Sequence, residues 1–137
     1  LAKKIAKDGE GATKLIQVNV KNAATDEDAK KIAKAVVGSN LLKCAVYGND
    51  PNWGRIMCAA GNSGAKFKQE KVDIYFDDKA IIKNGTGVDF NYEQVKEIMN
   101  KEKLDINIDL KNGNKNATAY GCDMTEDYIK INALYTT

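Results

Sequence analysis

Leu104, Ile106, Ile108 and Leu110 occupy every second position and alternate with Asp105, Asn107 and Asp109. A side-chain period of two sends one row to each face of an extended chain, so this segment reads as a strand with one buried face. The Asn112-Gly113 pair that follows suits a left-handed turn, which predicts a hairpin into a second strand over residues 116–122. Ile16, Val18 and Val20 repeat the alternation against Gln17, Asn19 and Lys21, which predicts another strand over residues 14–21.

Helical signals lie between these strands. Thr25 precedes Asp26, Glu27 and Asp28, an N-cap with an acidic first turn, and Ala29, Ile32, Ala33, Val36 and Val37 recur along one helical face, so a helix is predicted over Asp26–Val37. Asn91 followed by Gln94, with Phe90 and Val95 at the positions of a hydrophobic staple, predicts a second helix ending near residue 100. Residues 72–76 and 80–83 read as strands joined by a turn at Asp77, Asp78 and Lys79. Residues 41–47 fit a short strand or a helical continuation, and residues 128–133 a last short strand. This order lacks regular β-α-β alternation. The expected fold class is therefore α/β of a mixed, α+β-like kind: a single domain over residues 1–137 whose mixed or largely antiparallel sheet is packed by two main helices.

Composition removes several function classes. The 21 basic and 19 acidic residues are interspersed, and Arg55 is the only arginine, so the concentrated basic face of a nucleic-acid binder is missing. No apolar run approaches the ~20 residues that span a bilayer, so no membrane partner is expected. With no histidine, Ser-His-Asp and Cys-His machinery cannot be built within this chain; a base would be a carboxylate, lysine, tyrosine, thiolate or terminal amine. Cys44, Cys58 and Cys122 are odd in number and widely spaced, which argues against a disulfide framework or a zinc site and fits a reduced, cytoplasmic setting. The chain opens at Leu1, and Ala2 to Lys7 look like the end of a helix already under way, so a processed or excised fragment is expected.

Three stretches carry candidate chemistry. Asp8-Gly9-Glu10-Gly11-Ala12-Thr13-Lys14 sets a carboxylate between two glycines, which suits either a turn entering a strand or close approach of a ligand. It is not a phosphate-binding P-loop, because no glycine directly precedes Lys14, and no cofactor is expected. Asp50-Pro51-Asn52-Trp53-Gly54-Arg55 holds the only proline, tryptophan and arginine; it suits a helix start capped by Asp50, or an arginine that binds a carboxylate. The closing run from Tyr120 to Thr137 contains Cys122, read as a buried apolar residue, and ends in apolar and aromatic residues that suit a docked terminus.

Jointly, these three stretches resemble in order and spacing the C-terminal region of the ornithine acetyltransferase (ArgJ) family, over essentially the whole chain. The resemblance implies a cytoplasmic enzyme with an ArgJ-like mixed α/β fold, made as one precursor that cuts itself into two chains. The second chain would begin with a nucleophilic threonine that takes acetyl from N-acetylornithine, and in some members from acetyl-CoA, and gives it to glutamate in arginine synthesis. The partners implied are the upstream alpha chain and the remainder of the beta chain, two copies of each.

By the same resemblance Glu10, Asn132 and Thr137 are substrate-binding residues, whereas the nucleophile and oxyanion donors would lie upstream, leaving this fragment inactive alone. Glu10 would meet an amine, and Asn132 and Thr137 would offer the donors and acceptors that an amino acid needs. Leu134 stands where the family usually has an acidic residue, and Tyr120 where tryptophan is common. Two other readings stay open: a self-cleaving aminopeptidase-like hydrolase, and a non-catalytic ligand-binding or assembly domain. A chain that needs upstream partners should also leave an apolar face uncovered, on the Asp26–Val37 helix or near Trp53.

Overall fold

A computed structural model describes residues 14–123 of the chain. Within them lie six strands: β1 Leu15–Ala23, β2 Asp73–Phe76, β3 Lys79–Lys83, β4 Thr86–Gly87, β5 Lys103–Asp109 and β6 Lys115–Cys122. Four helices accompany them: α1 Asp26–Val37, α2 Asn40–Tyr47, α3 Trp53–Gly61 and α4 Tyr92–Met99. The sheet runs β4-β3-β2-β5-β1-β6; β1 and β5 are parallel and every other pair is antiparallel. The mixed α/β class therefore holds, with two further helices added to the two expected ones.

Register follows the apolar rows. Ile16, Val18 and Val20 of β1 stand beside Leu104, Ile106 and Ile108 of β5, and Ile74 and Phe76 of β2 pair with Ile108 and Ile106. That face joins Ala29, Ile32, Ala33 and Val36 of α1 and Val95 and Met99 of α4 in one core. A one-residue slip would carry the whole row to the other face, which fixes the pairing. Thr25 accepts from the Asp28 amide (3.0 Å) and Asn91 from the Gln94 amide (3.0 Å), so both main helices begin at their predicted caps.

The predicted hairpin at Asn112-Gly113 does not form: β5 and β6 lie on opposite sides of β1. A two-residue turn joins adjacent strands, whereas this connection crosses two strand spacings, about 10 Å. It passes over the end of β1, where the Leu110 amide donates to the Lys21 carbonyl (3.0 Å) and the Asn112 amide to the Asn22 carbonyl (2.8 Å). Gly113 serves close approach there, since a Cβ would stand 2.4 Å from the Ala23 carbonyl oxygen, and the left-handed residue is Lys111 (φ 50°). A second Asn-Gly pair, Asn84-Gly85 (φ 49° and 75°), makes the tight turn between β3 and β4, as a type I′ hairpin requires.

One open alternative is settled and one expectation corrected. Of the strand and the helix that residues 41–47 fitted, the helix forms: Ser39 accepts from the Leu42 amide (3.2 Å), and Leu42, Ala45 and Val46 turn inward at helical spacing. Asp50 does not cap the next helix; its amide closes the end of α2 on the Ala45 carbonyl (2.8 Å) just after left-handed Asn49 (φ 56°). Asn52 is the cap, accepting from the Arg55 amide at 3.3 Å. The expected helix end at residues 2–7 and strand at residues 128–133 lie outside the described residues.

Candidate functional site

Glu10, Asn132 and Thr137 lie outside the described residues, as does the Asp8 to Thr13 stretch. The described residues that adjoin those two segments are paired. The Lys14 amide donates to the Asp123 carboxylate (2.7 Å), the Asp123 amide donates to the Lys14 carbonyl (3.1 Å), and Leu15 is in register with Cys122. Antiparallel pairing of β1 with β6 thus brings residues 14 and 123 side by side although they are far apart in sequence. The Lys14 ammonium donates to the Val46 carbonyl (2.9 Å) and to the Asn49 side-chain oxygen, anchoring this junction to the end of α2. Burial lowers the Lys14 pKa, and the Asp123 carboxylate opposes that shift.

Lys43 lies on α2 and is fully buried, and its ammonium nitrogen has no hydrogen-bond partner among the described residues. Burial lowers its pKa to about 8, against an opposing attraction from Cys122. A buried amine without a partner is costly, and such sites are enriched where proteins do chemistry. Sequence reading passed over Lys43, because a lysine in a short apolar run gains an inward direction only once the run is known to be a helix. Ser39 before the run and Gly48 after it were the signals that could have shown this. Cys122 is buried, as expected of a core thiol, while Cys44 and Cys58 are exposed.

The Asp50 to Arg55 stretch ties three elements together. Arg55 donates from Nη1 to the Leu41 carbonyl (2.7 Å), linking α3 to the start of α2. The Trp53 ring lies over Gly87 of β4, where a Cβ would come within 3.1 Å of Cζ2. Beside this link opens a cavity of about 430 Å³, lined among others by Leu41, Asn52, Arg55, Cys58, Ala59 and Asn62. The apolar stripe of α1 is wholly buried, so of the two places where an uncovered apolar face was expected, one or the other, it is the region near Trp53 that keeps exposed apolar side chains. Leu41 remains 63% and Trp53 38% exposed.

Among the described residues, no group of three or more histidine, cysteine, aspartate or glutamate side chains could hold a metal ion. None of the described helices is long and apolar enough to cross a membrane. Comparison with known proteins is consistent throughout the chain. The model of the ArgJ family matches residues 1–137. A protein of Oceanobacillus iheyensis named arginine biosynthesis bifunctional protein ArgJ is 53% identical over 137 residues, which is 100% of this chain and 34% of that protein. The protein of that name from Thermotoga neapolitana is 48% identical over 141 residues, covering 100% of this chain and 36% of its own length. The chain thus spans about a third of the curated relatives it matches. A crystal structure of the Bacillus halodurans protein of that name superimposes with a TM-score of 0.88 at 46% identity, over 97% of this chain and 63% of the other.

Proposed function

This chain belongs to the ArgJ family, and from that premise we propose that it is part of a cytoplasmic acyltransferase of arginine biosynthesis that moves acetyl from N-acetylornithine to glutamate. The observation that carries the reading is the match of the family over residues 1–137, together with relatives near 50% identity named for arginine biosynthesis. An N-terminal threonine upstream, freed by self-cleavage, attacks the acetyl carbonyl. Its own amine takes the hydroxyl proton, and ornithine leaves with its amine protonated. The glutamate amine then attacks the acetyl-threonine ester, releasing N-acetylglutamate and restoring the hydroxyl.

In this scheme the chain contributes Glu10, Asn132 and Thr137 as substrate-binding residues. Support comes from the pairing of Lys14 with Asp123: Glu10 is four residues before one member, and Asn132 nine after the other. Residues 14 and 123 stand side by side at one end of the neighbouring strands β1 and β6, so a shared site needs no long-range rearrangement of the described body. The partners are the upstream alpha chain and the remainder of the beta chain, two copies of each.

The test is acetyl transfer by this chain alone and after co-expression with the upstream part. Activity is expected only in the complex, since the nucleophile and oxyanion donors supply most of the rate in acyl transfer. Turnover by the isolated chain would overturn the reading. In the active complex, Glu10→Ala is expected to lower kcat/KM at least a hundredfold, the scale of general acid-base assistance, with unfolding unchanged. Equal loss of stability and activity would make Glu10 structural.

A further inference from the structure

Three of the four large apolar residues left exposed among the described residues, Leu41, Tyr47 and Trp53, fall within one short stretch, while the fourth, Tyr92, is on α4. Leu41 also lines the cavity between α2 and α3, opposite a wall that includes Ala59 and the polar side chains of Asn62 and Arg55. Arg55 gives one N–H to the Leu41 carbonyl, and a guanidinium carries five donors in a fork that matches a carboxylate.

Other broad surfaces lack this character. The stripe of α1 is buried in the core. The sheet face turned away from the helices closes on itself through side-chain hydrogen bonds: Gln17 donates to Asn19 (2.9 Å), Asn19 to Asn107 (2.8 Å), Thr118 to Asn19 (3.0 Å), and Asn107 to the Asp77 carbonyl (2.8 Å). A face whose amides and hydroxyl largely bond one another gains less from a partner than exposed apolar side chains beside a cavity, which gain by being covered.

We propose that the groove between α2 and α3 is the seat of the remainder of the ArgJ protein, receiving a segment that presents a large apolar side chain next to a carboxylate. The occupant is argued from length: the relatives carry about twice as much chain again as this one, and that remainder must meet this body across some boundary. The apolar side chain would fill the cavity against Leu41 and Ala59, and the carboxylate would pair with Arg55. The inference deepens the partner reading given above and rests on it.

The test uses the co-expressed complex of this chain with the upstream part, following both association and acetyl transfer. Leu41→Asp and Ala59→Trp, one adding charge at the rim and the other filling the cavity, are each expected to raise the dissociation constant at least tenfold. Tyr92→Asp, outside the groove, should leave it within twofold. Circular dichroism and unfolding of each variant chain separate lost docking from lost folding, and the exposure of Leu41 makes its variant safe in that respect. Unchanged association of both folded groove variants would overturn the proposal. Concentration-dependent self-association of this chain, abolished by Leu41→Asp, would also overturn it by naming a second copy as the occupant. A tight, groove-dependent complex without acetyl transfer would leave the docking inference standing and remove the functional reading.

Discussion

The corner around Asp73 and the helix around Lys43 each take a charged side chain out of water, and they handle it in opposite ways. At Asp73, burial pushes the carboxyl pKa up, but the Asn84 amide (2.9 Å), Lys111 (2.9 Å) and Lys83 (3.4 Å) outweigh it and hold the pKa below the ordinary value. Lys111 also donates to the Asn84 side chain (3.0 Å), so one carboxylate pins the β3–β4 turn to the connection that crosses β1. Lys43 has no such set of partners among the described residues. Burial of charge is therefore not by itself a sign of function; a buried charge with every partner supplied is a structural clasp, and one without is a cost that the fold does not recover.

Removing Asp73 should have the largest effect. Asp73→Ala removes the acceptor that the Asn84 amide and two lysines share, and since Lys83 keeps Tyr75 and Lys111 keeps Asn84 the loss is that of charge-assisted hydrogen bonds, about 3–4 kcal/mol, measured by urea unfolding. Its contribution is present above the carboxyl's unfolded pKa and is lost as pH falls through the lower folded value, so the variant and the parent should converge in acid. Convergence at neutral pH instead would break the contrast.

Lys43→Met is expected to act in the other direction, raising stability by roughly 3 kcal/mol at pH 7, since a pKa near 8 against 10.5 is about that much at 1.36 kcal/mol per unit. The sign follows from proton binding: below about 8 both states hold the proton and the cost is full, whereas between about 8 and 10.5 only the unfolded state holds it. Wild-type stability should therefore rise with pH through that window relative to the variant. A destabilised Lys43→Met would show that the ammonium has a partner after all. A stabilised variant whose reconstituted complex transfers acetyl more slowly would mark the lysine as retained for activity.

Two glycines sharpen the same point on the backbone. Gly113→Ala drives a Cβ to 2.4 Å from the Ala23 carbonyl oxygen and should cost about 1–3 kcal/mol, an overpacking penalty visible in the unfolding midpoint. Gly61, the last residue of α3, has nothing within 4 Å of its added Cβ. There alanine should stabilise by about 0.4–1 kcal/mol by restricting the unfolded chain. Equal effects at the two sites would mean that the crossing over β1 relaxes without strain.

Where residue periodicity and caps act within one element, the sequence was legible. Thr25 and Asn91 marked the starts of α1 and α4, and the alternation in β1 and β5 identified which side chains go inward. Cys122 was rightly placed in the core. The two Asn-Gly pairs show where legibility stopped: the same dipeptide is a tight hairpin at Asn84-Gly85 and a crossing at Asn112-Gly113. Asp50 and Asn52 are both good caps, and the choice falls to Asn52 because the helix begins at Trp53. The candidate substrate residues were legible only through family resemblance, because a lone glutamate between glycines looks the same in a turn and in a site.

What this sequence determined by itself is the two main helices, the longer strands with their buried faces, and the family, all written in contacts between residues a few positions apart or in motifs read directly. Tertiary structure alone decided that β1 enters between β5 and β6, that Lys14 meets Asp123, and that Lys43 is sealed away without a partner among the described residues. The physical reason is range: a propensity or a cap is set by neighbours along the chain, whereas strand order and the surroundings of a buried charge depend on which distant segments pack together, and many orders satisfy the same local pattern.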